Sequence, residues 1–142
     1  MNMKIAYFAA TAAVLLLSAC SNQPVATSEA KEVPSKQIID RTLTQSATGT
    51  VLTVVKRDSG TKGAFCTATV AVDGKDVAEV AMSEKVSLYL APGEHIIGAR
   101  LSNAFPFCAG ETAEVTANVS KEAVYRFGVN AGANFYINKT AW

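Results

Sequence analysis

The stretch Thr112-Ala113-Glu114-Val115-Thr116-Ala117-Asn118-Val119 alternates polar and apolar side chains over eight positions without a break. Successive side chains of a β-strand point to opposite faces. This period of two therefore sends Ala113, Val115, Ala117 and Val119 one way, and Thr112, Glu114, Thr116 and Asn118 the other. A helix would scatter both sets around its axis, so the segment predicts a strand with one dry face and one wet face. Working outward, the same pattern recurs at 50–56 (Leu52, Val54), 66–72 (Ala68, Val70, Val72) and 85–90 (Val86, Leu88, Leu90). It recurs again at 95–101 (Ile97, Ala99) and 123–129 (Tyr125, Phe127), and the segment 135–137 predicts a last strand. With no helical pattern between them, the expected fold is all-β, a small antiparallel β-sandwich of about 6–8 strands. Residues 35–47 stay open: Ile39 and Leu43 share a helical face at i, i+4, while Ile38-Ile39 fits a strand equally well.

The turns have their own chemistry. Asp73-Gly74 sits between Val72 and Lys75, and Asp-Gly suits a two-residue hairpin whose central residues need positive φ. Pro92-Gly93 joins two strands, Pro fixing φ and Gly taking the left-handed position of a type II turn.

At the other extreme of the chain, Lys4 is followed by an uncharged run from Ile5 to Ala19 that includes Val14, Leu15, Leu16 and Leu17. A positive start, a short apolar stretch and small residues before a cut site form a secretory signal peptide, expected over residues 1–19. The run is shorter than the ~20 residues a spanning helix needs. From Ser21 onward the composition turns to Ser, Asn, Gln, Pro, Ala, Glu and Lys, with Pro24 and Pro34. That composition predicts a flexible tether over 20–36, leaving 37–142 as one β-domain.

The chain carries 13 basic and 12 acidic side chains, and losing Lys4 with the signal peptide leaves twelve of each. A balanced surface offers no basic field for nucleic acid, so no nucleic-acid partner is expected. Of three cysteines, Cys20 stands at the cut site, leaving Cys66 and Cys108 as an even pair in an exported, oxidising setting. A disulfide between them is the expectation. It would close a loop of about 43 residues, worth about 4 kcal/mol on loop entropy.

Two resemblances carry further expectations. Leu17-Ser18-Ala19-Cys20 resembles the lipobox of bacterial lipoproteins, a Leu and two small residues before the modified cysteine. The resemblance implies lipidation of Cys20, including an acyl chain such as palmitate, and anchoring through that cysteine. Ser21 rather than Asp after it implies the outer membrane, with the domain facing the periplasm. The stretch from Ala68 to Leu101 resembles the PEGA-like β-domains of bacterial envelope proteins and related small envelope lipoproteins. Its carrying residues are Val70-Ala71-Val72-Asp73-Gly74-Lys75 and Val86-Ser87-Leu88-Tyr89-Leu90-Ala91-Pro92-Gly93-Glu94-His95. Ala91-Pro92-Gly93-Glu94 stands where those families have Pro-Glu-Gly-Ala. This second resemblance implies a β-sandwich and an envelope role without catalysis.

Searching for chemistry yields little. His95 is the sole histidine, which removes most triad and metal arrangements. Glu79, Glu84, Glu94, Glu111, Glu114 and Glu122 are scattered and read as solvated charges. No Gly-rich phosphate loop leads into a helix. No catalytic residue, cofactor or metal is expected. Phe105-Pro106-Phe107, just before Cys108, is the candidate partner-binding loop, since aromatics on a pinned loop suit a protein contact. The expectation is a lipid-anchored binding or accessory protein whose partner is another envelope protein. The alternatives are a periplasmic inhibitor of a hydrolase, or a structural lipoprotein subunit of an envelope or secretion complex.

Overall fold

The computed structural model describes residues 22–102, 108, 110–130 and 132–141. Residues 1–21, on which the expected signal peptide and Cys20 fall, the Phe105-Pro106-Phe107 segment and Trp142 lie outside the described residues. Among the described residues nine strands follow one another: β1 (Lys31–Glu32), β2 (Val51–Arg57), β3 (Ala68–Val72), β4 (Lys75–Val80), β5 (Glu84–Leu90), β6 (Gly93–Leu101), β7 (Thr112–Val119), β8 (Ala123–Val129) and β9 (Phe135–Thr140). They form a five-stranded sheet, ordered β1-β5-β2-β8-β9, and a four-stranded sheet, ordered β4-β3-β6-β7. The all-β sandwich expected from the alternation is the fold.

The dry faces named above make the core. Ala68, Val70 and Val72 of β3 and Ile97, Ala99 and Leu101 of β6 meet Val86, Leu88 and Leu90 of β5 and Tyr125 and Phe127 of β8, all buried. The β7 pattern holds along its whole length, with Ala117 and Val119 buried and Thr112, Glu114, Thr116 and Asn118 exposed. Phe127 and Phe135 meet edge to face, their centroids 5.9 Å apart, the arrangement ring quadrupoles favour.

Three features of the sheets differ from the alternating pattern read above. The sandwich is not wholly antiparallel: β1 pairs β5 in parallel, and so does β2 with β8. Parallel neighbours need a long crossover, and here the entire four-stranded sheet lies in the chain between β2 and β8. Strand β4 escaped the alternation because its partner register shifts between Val70 and Ala71, so that adjacent Val77 and Ala78 are both buried. A bulge inserts one extra residue and breaks the period of two. Pro92-Gly93 joins two strands as expected, β5 and β6, which lie in different sheets, but not through a type II turn. Gly93 takes φ +138°, a conformation open to glycine but far from the roughly +80° of a type II turn.

The Asp73-Gly74 hairpin forms as expected, with φ of +50° and +77°. The segment expected to be a tether as far as Lys36 instead packs on the domain from Asn22 onward. Gln23 bridges to Ser59, and Val25, Ala30 and Val33 are buried. Strand β1 adds to the β5 edge; the chain then passes through 3-10 turns at Ser35–Gln37 and Thr42–Thr44. Between those turns Ile38 bridges to Ala78 of β4. The carbonyl of Val77, beside the bulge, accepts the N–H groups of both Ile39 (2.7 Å) and Asp40 (3.1 Å). The strap thus covers an edge in each sheet, which removes unpaired strand edges from that side.

Candidate functional site

Strand β2 is uncharged until Lys56 and Arg57, and Asp58 follows it, three consecutive charged side chains that are each about 1% exposed. Charges so deeply buried need partners, and alternation along the strand divides them between two sides of the sheet. Arg57 turns inward, across one end of the sandwich. Its Nη1 donates to the carbonyls of Cys66 (2.5 Å) and Val80 (3.1 Å), and its Nη2 to that of Gly63 (2.7 Å). The planar guanidinium, with five donors in a fixed fork, suits this gathering of carbonyls. Burial pushes its pKa down to about 10, so it stays cationic at neutral pH.

Beside it Cys66 and Cys108 form the expected disulfide, with Cα atoms 5.6 Å apart. Cys66 is therefore the residue that ties the 59–67 loop to the far side of the sandwich, and β3 begins only at Ala68. A pocket of about 380 Å³ opens at this end, lined by Lys62, Gly63, Leu101, Cys108, Glu111, Val129 and Ala133. On the same loop Phe65 stands 81% exposed.

Lys56 and Asp58 face the outer side of the five-stranded sheet, beneath the N-terminal segment. Lys56 Nζ donates to Val25 O (2.5 Å) and Thr27 Oγ1 (3.0 Å). Asp58 Oδ2 accepts from Arg126 Nη1 (2.7 Å) and from the Tyr136 hydroxyl. The Arg126 guanidinium also lies 5.4 Å from the centroid of the Tyr136 ring, a cation–π distance. Desolvation pushes the Asp58 carboxyl up despite these donors. Desolvation and the hydrogen bond to Asp58 together push the Tyr136 phenol up to about 12. Asn22 completes the group: a Cβ on Gly60 would lie 2.7 Å from Asn22 Cα, and one on Gly128 3.3 Å from Asn22 Nδ2. Two glycines thus make the notch in which the start of the described chain sits. The Oδ1 atoms of Asn22 and Asp58 are buried here without a hydrogen-bond partner among the described residues.

His95 lies at the opposite end of the sandwich, near the Asp73-Gly74 hairpin. Its Nδ1 is 2.7 Å from Asp73 Oδ2 and its Nε2 2.9 Å from Ala91 O. Both neighbours are acceptors, so both ring nitrogens are satisfied only in the imidazolium. The Asp73 hydrogen bond accordingly raises the His95 pKa, and the His95 hydrogen bond lowers that of Asp73. The imidazole is occupied in closing two turns. Among the described residues no group of three or more His, Cys, Asp or Glu is placed to hold a metal ion.

The structure thus brings Cys66 and Cys108 together and sets His95 apart from them. Sequence reading missed Arg57, Asp58, Asn22, Gly60 and Phe65. One available signal was the run Lys56-Arg57-Asp58, three charges ending an apolar strand just before a glycine. Comparison with known proteins finds no family model, no curated protein and no solved structure that matches this chain.

Proposed function

We propose that the chain is a lipid-anchored binding or accessory protein of a bacterial cell envelope, without catalytic activity of its own. The observation that carries this reading is Leu17-Ser18-Ala19-Cys20 at the end of a short uncharged run that follows Lys4. A cysteine in that setting receives a thioether-linked diacylglycerol, is exposed as the new amino terminus by cleavage, and is acylated again. Several acyl chains hold a protein firmly where one holds it marginally. The Cys66–Cys108 bond supports the same setting, because disulfides persist in oxidising compartments outside the cytosol. With Ser21 next to the modified cysteine, the outer membrane is the proposed destination, the domain facing the periplasm and meeting another envelope protein there.

Metabolic labelling with a fatty acid tests the reading. Wild type should incorporate label and run at the size of the mature form, and Cys20→Ser should remain an unlabelled, uncut precursor. Equal label in both would refute lipidation at Cys20.

A further inference from the structure

We infer that the domain rests directly on the bilayer, its 59–66 loop end against the lipid and Phe65 entering the headgroup region. This inference rests on lipid at Cys20, as proposed above, and adds the orientation that the anchor imposes.

The argument starts from the length of chain between lipid and fold. Only Ser21 lies between Cys20 and Asn22, and two steps of extended chain span at most about 7 Å. Asn22 is no longer free chain: it fills the notch between Gly60 and Gly128. Gln23 and Ser59 exchange backbone hydrogen bonds of 2.9 and 3.0 Å. Behind them Lys56 holds the carbonyl of Val25 from beneath. A protein tethered by a dozen or more flexible residues can point any face at the membrane. A protein whose anchor enters a fixed seat cannot, and it must present the surface around that seat.

That surface is the loop that continues from Ser59 and Gly60. Gly63 and Cys66 of the loop are held by Arg57, and Cys66 also by the disulfide. Between these fixed points projects Phe65, the most exposed large apolar side chain among those described, at 81%. Elsewhere such a ring would be an unexplained apolar projection. On a rigid loop beside a lipid anchor it meets a phase that favours an aromatic at its interface. The opposite end, with the Asp73-Gly74 hairpin and His95, then points away from the membrane and toward other envelope components.

Bromolipid quenching reads this directly in the full-length, lipidated protein purified from envelopes. Trp142→Phe removes the one native tryptophan. In that background Phe65→Trp places a loop reporter, and Lys75→Trp, in a second variant, places a reporter at the far end. Each variant is reconstituted in phosphatidylethanolamine–phosphatidylglycerol vesicles with or without brominated acyl chains, and flotation and fatty-acid content are measured alongside. A ring seated ~5–10 Å into the interface lies close enough to bromine for emission of the loop reporter to fall about twofold, with the far-end reporter unchanged. Full flotation with the loop reporter no more quenched than the far-end one would overturn the orientation, leave the anchor intact and assign the loop to a protein partner. Protein without fatty acid that fails to float would overturn the anchor and the orientation with it.

Discussion

At one end of the sandwich, Asp73, Gly74 and His95 close turns a few residues long, with polar groups that remain partly in water. At the other, Arg57, Cys66 and Cys108 hold segments that meet only in the folded chain, and they do so out of water. The first arrangement is exposed: Asp73 Oδ1 accepts the Ile96 N–H (2.9 Å) while its other oxygen faces His95, and the Asp73 side chain is 51% exposed. Water can replace each of these bonds at small cost. The second reaches no further along the chain in its hydrogen bonds, but Arg57, Cys66 and Cys108 are buried, and none of its bonds has a substitute once the core is dry. Position in the chain is thus a poor guide to energetic importance here; desolvation decides it.

The largest effect that tests this contrast comes from Arg57→Ala. It strips donors from the carbonyls of Gly63, Cys66 and Val80 and leaves a void the length of an arginine. Leaving buried acceptors unsatisfied costs ~1–3 kcal/mol each, and with partial relaxation a total loss of about 3–5 kcal/mol is expected. Arg57→Lys should recover only part of it, since one ammonium on a flexible stem cannot reproduce the fork. Urea midpoints at constant slope measure both. A loss under about 1 kcal/mol for Arg57→Ala would show that the disulfide alone closes this end.

Gly60→Ala comes next. Its φ of +141° disfavours any side chain, and the new Cβ would fall within 2.1 Å of Asn22 Oδ1. The backbone of Asn22 must move, at a cost of about 1–3 kcal/mol for strain and lost contacts. The expected signature is regional: hydrogen exchange should speed up at Gln23 and Ser59 and leave the β3 and β6 amides at wild-type rates. Unchanged exchange at Gln23 would mean that the notch does not hold the N-terminal segment.

These two positions also mark where sequence reading stopped. The alternation at 112–119 was legible because one face of a strand is wet and the other dry, and the hairpin at Asp73-Gly74 because positive φ selects those residues. Pairing left no such trace: nothing in Val51–Arg57 says that it neighbours Ala123–Val129 in parallel. The 22–36 segment departs from what its composition suggests for a related reason. Its polar composition fits a tether, yet its buried contacts are few and short: Val25, Ala30 and Val33, with backbone bonds supplying the rest. Lys56 and Asp58, ordinary surface residues by type, are buried, Lys56 against Val25 of that segment and Asp58 beside Arg126 and Tyr136. Setting Cys20 apart from the three cysteines left one pair for a disulfide, whereas Arg57 in its setting of carbonyls required knowing which loops converge.

The smallest predicted effect lies at the hairpin end and concerns pH. His95 is the only histidine, so its titration can be isolated. Its folded pKa is raised, chiefly by the Asp73 hydrogen bond. A raised pKa means that the folded state holds the proton more tightly than the unfolded chain does. The stabilisation is therefore complete below the unfolded value of ~6.5 and disappears as pH rises through the folded value. Asp73 runs the other way: its pKa is lowered, so its contribution is present above the unfolded value of ~3.9 and is lost as pH falls through the folded one. Lys75 adds a further cationic influence on Asp73, and Asp40 lines the same shallow pocket. The Asp73 side chain is 51% exposed, so solvent screening holds the pair to about 0.5 kcal/mol. Stability should therefore fall slightly as pH rises from the unfolded value of ~6.5 through the raised folded one, and His95→Gln, which does not titrate, should flatten that limb. Denaturation midpoints taken across this range in both proteins decide the matter. Parallel curves would mean that His95 does not couple to folding, and that the hairpin end is held by its turns alone.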